Sequence, residues 1–164
     1  MRTEGEFKSE RPARTTRVSR RIRATPEKIY QTFLDPNALS AWRVPDNMTG
    51  RMDSFDPREG GSYRMTLTYI ERKTSPRGKS SDTTDTFQGT FLHLVLNEKV
   101  VEEIRFESPD PQFAGEMRMT TTMVRIGTET EVTILCENLP PGIRLEQNAL
   151  GCNMALNKLA RLVE

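Results

Sequence analysis

The sequence predicts an α+β fold, one long C-terminal helix lying across a face of an antiparallel sheet, and three observations carry the prediction. Leu145, Ala149, Cys152, Leu156, Leu159 and Val163 recur at alternating intervals of four and three, which draws a continuous apolar stripe along one helical face. From Met48 to Asn138, runs of Thr, Val, Ile, Phe and Tyr alternate with turn residues and read as about six consecutive hairpin strands. Two helix-start signals, Thr25-Pro26-Glu27 and Asp35-Pro36, stand ahead of those strands. Successive hairpins make an antiparallel sheet, and a single amphipathic helix is enough to cover one of its faces.

The elements follow in order. Val18, Ile22 and Ala24 share one face of a first strand, and Arg17, Ser19, Arg21 and Arg23 share the wet face. Ile29, Tyr30, Phe33 and Leu34 then give a short helix its apolar spacing. A second short helix carries Leu39 and Trp42 and is stopped by Val44-Pro45, because the residue before proline is pushed out of the helical region. Strands are expected at Met48 to Phe55 and Ser62 to Arg72, the latter alternating Tyr63, Met65, Leu67 and Tyr69 against Arg64, Thr66 and Thr68. Thr74 to Asp85 is rich in Ser, Thr, Gly, Lys and Pro and reads as an exposed, mobile hairpin loop. Further strands run over Thr86 to Leu94, Lys99 to Glu107, Glu116 to Ile126 and Thr130 to Asn138, before Pro140-Pro141-Gly142 launches the last helix.

A chain of 164 residues suits one domain, here taken as 14–164 behind a flexible arm at 1–13. No apolar run approaches the roughly 20 residues of a membrane span, and the start has no apolar core of a signal peptide, so a cytoplasmic protein without a membrane span is expected. Before residue 24, eight basic side chains face three acidic ones. Such a stretch can meet phosphates, but from Arg11 to Arg23 no aromatic side chain stands among the arginines to stack bases, so no specific nucleic-acid partner is expected. Cys136 and Cys152 lack the density of a disulfide scaffold and the spacing of a zinc or redox motif. With His93 as the single histidine, no metal site, cofactor or catalytic pair is assigned, and His93 reads as a surface or half-buried residue.

Among polar residues Glu102 stands out, because alternation sets it in phase with Val100, Ile104 and Phe106. If that face is buried, desolvation raises its pKa and makes it a proton donor or a ligand anchor; a local bulge would instead return it to water. Met65, Met117, Met119 and Met123 fit either a plain core or an adaptable apolar pocket. Trp42, Tyr63 and Phe106 carry the same two readings. Gly151 costs about 1 kcal/mol against alanine inside a helix, so a close approach to a strand, or to a ligand, is expected there.

The stretch Arg21-Ile22-Arg23-Ala24-Thr25-Pro26-Glu27-Lys28-Ile29-Tyr30, followed by Phe33, Asp35-Pro36 and Trp42, resembles the opening of the SRPBCC, or START-like, superfamily. In particular it resembles bacterial homologues of the heat-shock protein 90 ATPase activator C-terminal domain. Gly60-Gly61-Ser62-Tyr63-Arg64-Met65, Gly89-Thr90-Phe91, Asn97-Glu98-Lys99-Val100-Val101, and Gly151 with Leu156, Leu159 and Ala160 continue the likeness from about residue 15 to the end. The resemblance implies a helix-grip fold, a curved antiparallel sheet of six or seven strands gripping the C-terminal helix, with a cavity between them for a hydrophobic or amphipathic small molecule. The residues it turns toward that cavity are Trp42, Tyr63, Met65, Phe91, Glu102, Ile104, Phe106, Met119, Met123, Cys152 and Leu156. Two alternatives accompany it: an enzyme of the polyketide cyclase or dehydratase kind using Glu102, Tyr63 or His93, and an activator-like interaction protein with a chaperone partner. Open sheet edges also admit a homodimer. Where many relatives have Gly-Trp this chain has Gly151-Cys152, which either enlarges the cavity or leaves space for Met119 or Met123 to fill. The loop at 74–85 also exceeds the usual length and is read as a lid or a tolerated insertion.

Overall fold

A computed structural model describes residues 14–70, 78–81 and 83–164. The arm expected at 1–13 and residues 74–77 and 82 of the loop expected at 74–85 lie outside the described residues. Strand β1 (Thr16–Ile22) is followed by helices α1 (Pro26–Gln31) and α2 (Pro36–Trp42), strands β2 (Met48–Phe55), β3 (Ser62–Tyr69), β4 (Thr84–Val95) and β5 (Lys99–Glu107), a 3-10 turn (Pro111–Phe113), β6 (Glu116–Ile126), β7 (Glu129–Glu137) and helix α3 (Leu145–Val163). No helix among these is long and apolar enough to cross a membrane.

Local chemistry sets the boundaries. Thr25 caps α1 by accepting from the Lys28 amide at 3.1 Å, and Asp35 caps α2 by accepting from the Asn37 amide at 2.9 Å, each with proline in the first turn. The seven strands form one antiparallel sheet in the order β1-β7-β6-β5-β4-β3-β2. Hairpins join every neighbour from β2 to β7, and β1 closes the other edge against β7, with Thr16 opposite Cys136 and Ile22 opposite Thr130. Register shifts at Met52/Ser54 and at Phe91/His93 add bends to a twisted sheet, and the result is the curled half-barrel of a helix-grip fold.

Helix α3 lies in the curl with Cys152, Ala155, Leu156, Leu159, Ala160 and Val163 buried, while Leu145 and Ala149 at its start are only half-buried. Part of the basic stretch fixes this helix. Arg14 donates to the Leu139 and Ile143 carbonyls ahead of α3, Arg20 to Asn157, and Arg23 to Glu164. Those arginines tie β1 to the helix, and Arg17 and Arg21 occupy the exposed face.

The loop before β4 departs from expectation at its described end. Strand β4 begins at Thr84, so Asp85, expected in a mobile loop, is a buried strand residue. Its carboxylate accepts from the Lys79 amide at 2.6 Å and from Lys79 Nζ at 2.9 Å, and the Ser80 hydroxyl is bonded to the Thr86 amide at 2.7 Å. Residues 78–81 are therefore folded back onto the sheet.

A buried ion pair behind an apolar cavity

A cavity of about 840 Å³ separates the sheet from the first half of α3. Its position follows the strands: the walls use the end of β3 (Leu67, Tyr69), the start of β4 (Asp85, Phe87), the end of β5 (Ile104, Phe106) and the start of β6 (Met117, Met119). Helix α3 contributes Gly151, Cys152, Met154 and Ala155, and the mouth carries Asp46, Lys79, Phe113, Arg144 and Leu150. Antiparallel pairing puts those strand ends side by side, with Phe87 opposite Phe106 and Ile104 opposite Met117. Phe87 and Phe106 meet edge to face, their ring centroids 5.9 Å apart.

Of the residues singled out in the sequence, Ile104, Phe106, Met119 and Cys152 line this cavity. Trp42, Met65, Phe91, Met123 and Leu156 do not; they fill the core where helix and sheet close on each other. Trp42 packs edge-on against Phe33 at 5.3 Å, and Phe91 packs against Tyr63 at 5.4 Å. His93 is exposed.

Glu102 and Tyr63 stand immediately behind the wall, joined to it by a residue that sequence reasoning missed. Arg43, which ends α2, reaches into the cavity wall and pairs with Glu102 through Nη1 at 3.0 Å and Nη2 at 3.3 Å. The side chains are 7% and 0% exposed. Tyr63 donates its hydroxyl to the same carboxylate at 2.5 Å, and Arg43 Nη2 also lies 3.1 Å from Met119 Sδ. Of the two expectations for Glu102, burial or a bulge that returns it to water, the structure shows burial, and it adds a buried counter-charge and three hydrogen bonds. Burial works against the charge on Arg43, but Glu102 and its hydrogen bonds outweigh that and hold the guanidinium above its ordinary pKa. Burial, reinforced by the charge of Glu102, pushes the Tyr63 phenol well above its ordinary 10.0. Tyr63 owes its place to Gly89, its partner across β3 and β4, since a Cβ there would fall 2.3 Å from the tyrosine ring.

Gly151 corrects the expectation of a close strand. A Cβ at this position would meet nothing within 4 Å, because the glycine looks into the cavity. Beside it, Cys152 Sγ lies 3.9 Å from Cys136 Sγ, and both cysteines are free and buried. Contact with Cys136 and burial both push the Cys152 thiol up, so it packs as a small neutral group. Of the two methionines expected to fill the room that a larger side chain at 152 would occupy, Met119 stands in the cavity wall and Met123 in the core.

Comparison with known proteins agrees with this architecture. A Chromobacterium violaceum protein of known crystal structure is 31% identical, with 92% of this chain and 97% of that chain covered and a TM-score of 0.80. A Mycobacterium smegmatis protein, at 16% identity, shares the fold with a TM-score of 0.70 over 92% of this chain and 90% of that one. A protein in the dynemicin biosynthetic locus shares it too, at 20% identity and a TM-score of 0.63, but the match spans 92% of this chain and only 47% of that one. No curated protein matches the sequence. The family described as Activator of Hsp90 ATPase homolog 1-like protein matches residues 23–164, and the chain belongs to that family.

Proposed function

We propose that this chain binds a hydrophobic or amphipathic small molecule between its sheet and α3. The observation that carries the reading is the cavity itself: about 840 Å³, walled by Leu67, Phe87, Ile104, Phe106, Met117, Met119 and Ala155, with Arg43 as a polar group at its back. That volume is in the usual range of ligand sites, which are mostly apolar with a few placed polar groups. Thioethers beside aromatic rings give such a wall the ability to fit differently shaped guests. A thermal-shift screen over lipids and aromatic compounds tests it. Ligands that raise the melting temperature in a saturable manner are expected, and a flat response across both classes counts against the reading.

A second reading, an enzyme of the polyketide cyclase kind, draws support from the convergence of Arg43, Glu102 and Tyr63 behind the cavity and from the fold shared with a dynemicin-locus protein. The pairing argues for binding over catalysis. Tyr63 keeps its proton and donates it in a hydrogen bond to Glu102, and both oxygens of Glu102 are engaged by Arg43 and Tyr63, so no group of the cluster stands free for proton transfer.

A further inference from the structure

We infer, resting on the small-molecule reading above, that the cavity selects uncharged guests, which meet it through a hydrogen-bond acceptor such as a carbonyl or ether oxygen, and that it rejects free carboxylates and phosphates. The argument is the pairing of every charge in the lining. Among the described residues, the charged side chains in the wall and mouth are Arg43, Asp46, Lys79, Asp85 and Arg144. Each has an opposite charge in reach: Arg43 with Glu102 at 3.0 Å, Lys79 with Asp85 at 2.9 Å, Asp46 with Lys158 at 3.7 Å, and Arg144 with Glu146 at 3.5 Å.

The two pairs nearest the apolar wall matter most. Lys79 is held by Asp85 and also lies over the rings of Phe106 at 5.4 Å and Phe113 at 5.8 Å, so its ammonium is satisfied without a guest. At the back, Glu102 sets its opposite charge against Arg43 through two hydrogen bonds, at 3.0 and 3.3 Å. An anionic guest would then add a charge with no partner, next to a buried carboxylate, and burying an unpaired charge is strongly unfavourable. An uncharged acceptor meets no such cost. A guanidinium has five N–H donors, and among the described residues Arg43 Nε makes no hydrogen bond, which leaves a donor for an oxygen of the guest.

Isothermal titration of the purified protein with matched probes tests this: methyl naphthoate against naphthoate, and methyl laurate against laurate, at neutral pH. The ester is expected to bind at least about tenfold tighter than its carboxylate. A carboxylate that binds as well as its ester, or better, overturns the charge selectivity and leaves small-molecule binding standing. Binding of no member of either pair overturns both. Glu102→Gln uncovers the charge of Arg43, so it should shrink the ester preference about tenfold or reverse it; Asp85→Asn makes the same change at Lys79 and does not disturb the buried pair. A folded variant of either kind with an unchanged ratio overturns the assignment.

Discussion

Arg43 and Glu102 form an ion pair that neither residue could sustain alone. With side chains 7% and 0% exposed, each charge depends on the other for the solvation it gave up. Glu102→Leu should therefore cost about 3–5 kcal/mol in urea unfolding, the range for removing one member of a buried pair. Adding Arg43→Met to that variant should recover part of the loss, because the orphaned cation goes with it; a double variant no more stable than the single one would show that the pair is not the cause. The third member titrates with a definite sign. Tyr63 holds its proton more tightly in the fold than in the unfolded chain, so its contribution is full below the unfolded value of 10.0 and is lost as pH rises above it toward the higher folded value. Unfolding measured between about pH 9 and about pH 11 should show stability falling in the parent protein, with a shallower fall in Tyr63→Phe. Glu102 was legible in the sequence because strand alternation sets its phase. Arg43 was not, since it follows the last turn of a short helix where no periodicity fixes a direction, and its partner is 59 residues away.

Among the elements, α3 was the most readable and also holds the clearest misreading. A stripe at intervals of four and three implies burial along one face, and Cys152, Leu156, Leu159 and Val163 are buried on it. The glycine inside the stripe suggested a close approach to a strand or to a ligand; no strand stands near, and Gly151 borders the open space of the cavity. The pattern reports which face turns inward but not how near the opposite wall stands. Gly151→Ala should accordingly raise stability by up to about 1 kcal/mol, the helix-propensity gain, as read by thermal unfolding without ligand. A loss of stability would mean that the backbone there approaches something closely. The same limit explains the divided fate of the strand residues. Alternation set Tyr63 and Met65 on one strand face and Ile104 and Phe106 on another, and the resemblance turned these with Phe91 and Met119 toward the cavity, but depth along the strand decides which of them meet it. Phe106 and Met119 sit at strand ends that line it, and Met65 and Phe91 sit where α3 closes on the sheet.

For the whole molecule, the curl of the sheet and the length of α3 create a cavity that the first half of the helix roofs and the second half does not. The helix-on-sheet architecture could be read from hairpin order and one amphipathic stripe, because those patterns are properties of single elements. The cavity was expected from the family resemblance alone and not from residue pattern, because it arises from the fit between elements: the bulges at Met52/Ser54 and Phe91/His93, the small side chains at 151 and 152, and the fold-back of Lys79 onto Asp85. Its central consequence is occupancy. Native mass spectrometry of the protein purified under non-denaturing conditions, compared with Cys152→Trp, addresses it most directly. The parent should carry an added mass of a few hundred daltons that is lost on denaturation, in keeping with a guest sized for such a site, and the indole ring in the variant should abolish or sharply reduce it. A parent found only at the 18.8 kDa of its polypeptide, with the variant indistinguishable from it and no compound retained after incubation, would contradict the account.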